Sequence, residues 1–158
     1  MRGHQRDPPG RTGNGQDQRA FPGTVFLAAT LADGRRHAVA THQDFDPIGR
    51  GHPEGATPTH PGKLVVLWAT GLGQTAPFVV DGELPNFAAW IIVPSQVWVE
   101  GQPVPDHRLR YVGQAPEFAG LYQINVLLPD DTPTGNVEVM IEVDGVPSQP
   151  GLTIAVDP

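Results

Sequence analysis

Apolar and polar positions alternate most cleanly toward the C-terminal end of the chain. In Asn136–Val143 the side chains of Val137, Val139, Ile141 and Val143 fall on one face, and Glu138 and Glu142 on the other. A period of two predicts a strand with one buried and one solvated face. Leu121–Leu128 has the same period, with Tyr122, Ile124, Val126 and Leu128 on the apolar side and Gln123 and Asn125 opposite; Leu152–Val156 repeats it. Ser95–Glu100 and Arg108–Val112 read as strands flanking Gly101–His107. Lys63–Thr70 is apolar on both faces, the pattern of a central strand. Thr24–Thr30 and His37–Thr41 are expected to pair across a hairpin turn at Asp33-Gly34. Gln43–Pro61, rich in Gly, Pro, His and Thr, reads as a long loop. Within the irregular Gly71–Pro94 connection, Phe87–Val93 fits either a short strand or a tucked apolar loop. Seven or eight short strands separated by turn residues predict an all-β, antiparallel β-sandwich.

Two turns repeat one chemistry. Val99-Glu100-Gly101-Gln102-Pro103 and Val143-Asp144-Gly145-Val146-Pro147 share the order apolar, acid, Gly, any, Pro. Each is expected to reverse a strand at the Gly and to end regular pairing at the Pro, which has no N–H to donate.

Residues 1–20 contain only Met1 and Ala20 as apolar residues. Such a segment cannot offset its ordering entropy, so it is expected to be a disordered tail or a misassigned start, with a single domain over 21–158. Charge divides at the same point. The net −7 is made of +2 over residues 1–20 and −9 over the remainder, where Lys63 is the one lysine. An acidic body lacks the cations that supply most affinity for phosphate backbones, so no nucleic-acid partner is expected. The absence of Cys excludes disulfides and thiolate chemistry. No run reaches the ~18 apolar residues of a membrane-spanning helix, and no apolar h-region marks a signal peptide.

Candidate chemistry is sparse. Gly71-Leu72-Gly73-Gln74-Thr75-Ala76 matches a dinucleotide-binding fingerprint, but that mechanism needs a helix beginning at the second Gly. Pro77, Pro85 and Pro94 forbid a long helix there, so a glycine-rich strand exit with positive φ is expected and no cofactor. His37 and His42 with Asp44 and Asp46 are the nearest approach to a metal cluster, yet none of the six histidines has metal-ligand spacing. Asp130, Asp131 and Asp144 lack the D-x-D-x-D-G order of a calcium loop. Ser95 and Ser148 are the only serines, and no nucleophile elbow contains them. Glu138 and Glu142 stand about 13 Å apart along a strand, beyond the ~5–9.5 Å of a glycosidase pair; they read as solubilising, edge-protecting charges. No catalytic and no metal-binding residue is therefore expected. Trp68 is expected in the core. Trp98, which points away from Val97 and Val99, and Trp90 form a candidate glycan platform.

The sequence also carries a resemblance. Trp68-Ala69-Thr70-Gly71-Leu72-Gly73, Asp81-Gly82, Val99-x-Gly101-x-Pro103, Gly113-x-Ala115-Pro116-x-Phe118-x-Gly120-Leu121-Tyr122-Gln123-Ile124-Asn125-Val126-x-Leu128-Pro129, Gly135 and Val143-x-Gly145-Val146-x-Ser148 occur in one order. Over residues 61–156 they resemble the Solibacter-type uncharacterised C-terminal domain family, which looks like a relative of the immunoglobulin-like IPT/TIG modules. The resemblance implies an immunoglobulin-like fold at the C-terminal end of a larger secreted bacterial protein. It implies a non-catalytic accessory module for spacing, adhesion or surface display, located outside the cell or on its surface. Its partners would be upstream domains of a longer chain or cell-surface components, and it supplies no functional residues. Members of the family usually carry another Ig-like half upstream, where this chain has residues 1–20. The alternative expectation is a carbohydrate-binding module that uses Trp98 and Trp90.

Overall fold

The computed structural model describes residues 28–30, 34–51 and 53–158. The expected tail, Thr24–Leu27 and Asp33 of the proposed hairpin lie outside them. Two β-sheets pack face to face, and among the described residues the one helical turn is a 3₁₀ segment at Asp106–Arg108.

The first sheet contains β1 (Ala28–Thr30), β2 (Arg36–Ala38), β7 (Ser95–Val99), β8 (Gln102–Pro103), β11 (Gly135–Val143), β12 (Val146–Pro147) and β13 (Leu152–Val156). Its order is β1-β2-β13-β11-β7-β8, with β12 pairing beside β11. The second contains β3 (Ala40–Thr41), β4 (Leu64–Ala69), β5 (Thr75–Ala76), β6 (Ala89–Ile91), β9 (Leu109–Gln114) and β10 (Tyr122–Leu127). Its order is β3-β4-β10-β9-β6-β5. The strands pair antiparallel, except that β2 runs parallel to β13.

Alternation decides which side chains enter the core. Val137, Val139, Ile141 and Val143 of β11 are buried against Val65, Leu67, Ile124 and Val126 of the opposite sheet. Burying each such side chain contributes roughly 1.5–3 kcal/mol. Glu138 is exposed on the outer face. It does not protect an edge, however, because β11 is paired on both sides, by β7 and by β13 with β12. The charges on its outer face solubilise a central strand.

Both echoed turns form as expected. Glu100 and Gly101 have φ of 48° and 71°, and Asp144 and Gly145 have 50° and 77°. Two consecutive positive φ values make a type I′ turn, whose twist matches the strands it joins. The return strands β8 and β12 both end at their prolines. Ser148 then completes the pattern: its hydroxyl accepts a hydrogen bond from the Ile141 N–H at 3.1 Å.

Two expectations here need correction, at His37–Thr41 and at Trp68, and the 43–61 loop holds with an addition. His37–Thr41 is not one strand. It splits at the exposed Val39, with β2 in the first sheet and β3 in the second, so the chain crosses between sheets there. The 43–61 region is a loop, but a pinned one. Ile48 and Ala56 are buried in it, and Thr59 pairs with Val156, its N–H donating to the Ala155 carbonyl at 2.9 Å. Trp68 lies on the outer face of β4, half-buried, where its Nε1 donates to Thr41 Oγ1 at 3.1 Å and its ring meets Phe45. The open choice at Phe87–Val93 resolves as a strand, β6, paired with β5 and β9.

Candidate functional site

A concave feature forms where β4 runs out. After Ala69 the chain turns through Gly71 and Gly73, at φ of 77° and 95°, while Leu72 between them is fully buried and anchors the exit. No helix follows: Thr75 and Ala76 form β5 and the Thr75 hydroxyl donates to the Pro77 carbonyl. The dinucleotide-like glycines therefore shape a strand exit. A turn closed by the Glu83 N–H on the Val80 carbonyl sends the connection back as β6.

Tyr111 ties that connection to the sandwich. Its hydroxyl accepts from the Ala89 N–H at 3.1 Å and donates to the Gln114 carbonyl at 2.8 Å. Its ring lies over Gly113, where a Cβ would stand 2.2 Å from the Ala89 carbonyl oxygen. Only glycine permits β6 to approach β9 so closely.

The result is an open cleft of about 650 Å³ at one mouth of the sandwich. Phe78, Val79 and Val80 wall it on one side. Gln114 and Tyr122, register partners on β9 and β10, wall it on the other. Tyr122 and Gln114 share the inner face with Ile124 and Val112, so they stand at the open end of the core. The Tyr122 hydroxyl donates to the Gly73 carbonyl. Its pKa is raised by burial and, secondarily, by the negative charge of Asp81, the one charged residue among those lining the cleft.

The same connection carries much of the exposed apolar surface, with Phe78 and Val80 lining the cleft itself. Nine large apolar side chains are exposed among the described residues. Six of them (Phe78, Val80, Leu84, Phe87, Trp90 and Ile92) belong to the β4–β7 connection. A seventh, Phe118, sits in the β9–β10 turn, which the Glu117 N–H joins to the Pro85 carbonyl at 2.6 Å.

The structure does not bring the two candidate tryptophans together. Trp90 is in β6 of the second sheet, 48% exposed, with its ring edge-on to Tyr111 at 4.7 Å. Trp98 is in β7 of the first sheet, pointing away from the core as expected. It is half-buried, with Met140 and Pro103 as its register partners. Each faces outward from a different sheet, so they share no plane.

The remaining candidates are dispersed. His37 lies on β2, within 3.4 Å of the Thr153 hydroxyl, whereas His42 follows β3 and its Nε2 contacts Thr57 Oγ1 at 3.0 Å. His42, Asp44, Asp46 and His60 border a shallower depression, but among the described residues no three His, Asp or Glu are grouped to hold a metal. Asp130 pairs with Arg108 at 2.8 Å. It precedes β11 while Asp144 follows it, which separates them by roughly 27 Å at the usual strand rise. Gln114, Tyr122, Asp81 and Phe78 carried no sequence signal of a site; each is ordinary within its own segment.

Comparison of the chain with protein-family models, with curated proteins and with solved structures finds no match.

Proposed function

We propose that this chain is a non-catalytic accessory module, acting outside the cell or on its surface, that uses the mouth formed by its β4–β7 connection as a contact surface. The observation that carries the reading is the concentration of exposed apolar side chains on that single connection and the adjoining Phe118. Scattered apolar residues on a surface need no explanation, whereas seven gathered on one connection and the turn bonded to it, two of them lining a cleft, favour an interaction site. The connection is held in place by β5–β6–β9 pairing and by Tyr111, so a rigid scaffold presents it.

The strand order supports an immunoglobulin-like reading. Among the longer strands, β4-β10-β9 form one sheet and β7-β11-β13 the other, the order of strands B-E-D and C-F-G in immunoglobulin domains. Short β3 beside β4 and β2 beside β13 take the place of a first strand divided between sheets. The resemblance of residues 61–156 to secreted C-terminal domains points to the same role.

Immunolabelling of intact and permeabilised source cells tests the location. Labelling of intact cells is the expected result. Labelling only after permeabilisation would remove the extracellular assignment.

A further inference from the structure

The exposed apolar side chains of the β4–β7 connection are interleaved with charges of one sign. Phe78, Val80 and Leu84 are 66%, 50% and 65% exposed. Among them stand Asp81 and Glu83, also exposed, in the turn that the Glu83 N–H closes on the Val80 carbonyl at 3.0 Å. The β9–β10 turn brings Glu117 and Phe118, both exposed, to the same place: the Glu117 N–H donates to the carbonyl of Pro85, the residue after Leu84. Residues 71–94 and 115–120 contain no Lys, Arg or His. Among the described residues none of these three carboxylates forms an ion pair, whereas Asp130 pairs with Arg108 at 2.8 Å and Asp157 with Arg50 at 2.6 Å.

We infer that this surface docks a cationic, partly apolar segment of another polypeptide. Its apolar side chains would lie on Phe78, Val80, Leu84 and Phe118, and its Lys or Arg side chains against Asp81, Glu83 and Glu117. The inference rests on the reading of the connection as a contact surface and adds the sign of the partner's charge. Buried apolar and aromatic side chains supply most of the affinity of a protein contact, and the charges around them select the partner and speed its encounter. Three unpaired carboxylates repel nucleic acid, anionic lipid and acidic protein alike. A neutral apolar partner would strip water from them and return nothing, whereas a guanidinium or ammonium group replaces that water with charge-assisted hydrogen bonds. Because backbone hydrogen bonds already hold both turns, docking orders little more of the chain.

The test titrates the full chain with two end-blocked hexapeptides and follows the backbone amides of Asp81, Glu83 and Phe118. One peptide alternates arginine with leucine and tryptophan; its twin has glutamate in place of every arginine. The arginine peptide is expected to shift all three amides saturably, and the glutamate twin to shift none. Asp81→Asn, Glu83→Gln and Glu117→Gln together should weaken the binding by about tenfold, the usual worth of three rim ion pairs. All three residues are exposed, so this variant keeps the fold. No saturable shift with the arginine peptide overturns the inference, as does an equal response to both peptides or binding unchanged by the three substitutions. Shifts caused by phosphatidylserine vesicles, with none from the arginine peptide, also overturn it and assign the surface to a membrane. If the charge-neutral variant is retained on source cells like wild type while the Phe78→Ser, Phe87→Ser, Ile92→Ser variant is washed away, the contact-surface reading stands and the inferred partner charge alone falls.

Discussion

Replacing Tyr111 by Phe removes one oxygen atom and tests how the β4–β7 connection is fastened. The ring stays, so its edge-on contact with Trp90 and its cover over Gly113 are kept. Two hydrogen bonds are lost: the one from the Ala89 N–H, in a residue with no exposed surface, and the one to the Gln114 carbonyl. Leaving a buried donor unsatisfied costs about 1–3 kcal/mol, and a lost neutral hydrogen bond about 1 more, so the variant should lose roughly 2–4 kcal/mol. In a chain of this size each kcal/mol lowers Tm by about 2–4 °C, which gives a fall of roughly 4–16 °C. Calorimetry reads that fall, and amide exchange reads its place, as faster exchange at Ala89 and Trp90. A Tm within about 1 °C of wild type would refute the reasoning, because the hydroxyl would then hold nothing that water does not hold equally well.

Four further outcomes are expected. Gly113→Ala should force β6 away from β9, because its Cβ would meet the Ala89 carbonyl oxygen at 2.2 Å; limited proteolysis should then cut within residues 77–94. Gly145→Ala places a Cβ at φ of 77° in open space, so its cost is backbone strain alone, about 1–2 kcal/mol of stability, seen as a lower urea midpoint with unchanged slope. Burial holds the hydroxyls of Tyr111 and Tyr122 above the ordinary value of 10.0, with Asp81 adding to the effect at Tyr122 and the Ala89 hydrogen bond opposing it at Tyr111. The unfolded chain releases these protons first, so their contribution is complete below about pH 10 and is lost as pH rises past it; Tyr122→Phe should flatten that alkaline decline. Substituting Ser for Phe78, Phe87 and Ile92 together should leave Tm within about 3 °C of wild type, since all three are exposed.

Where local pattern decides structure, the sequence is readable. The Val137 to Val143 alternation names a strand and its buried face, because period two and a one-sided core leave one solution. The acid-Gly pairs at Glu100-Gly101 and Asp144-Gly145 name their turns, because few residues tolerate two positive φ values in succession. Contacts between distant segments are not written this way. Nothing in His37-Ala38-Val39-Ala40-Thr41 marks Val39 as the crossing point, since both halves are apolar and each finds its own sheet through a partner far along the chain. Thr59 joins Val156 by a single bridge with no periodicity behind it. Phe87–Val93 stayed ambiguous for the same reason: its strand character comes from pairing with β9, and its outward Trp90 and Ile92 look locally like core residues. The cleft was invisible because Gln114 is one glutamine at the end of a strand. Its place in the cleft depends on Phe78 and Tyr122, which come from other segments of the chain.

The most direct test of the contact surface is retention of the purified, labelled chain on intact source cells, compared with the Phe78→Ser, Phe87→Ser, Ile92→Ser triple variant. The account predicts that wild type is retained and the triple variant, folded by circular dichroism, is washed away. Equal retention of both, or retention of neither, would contradict it.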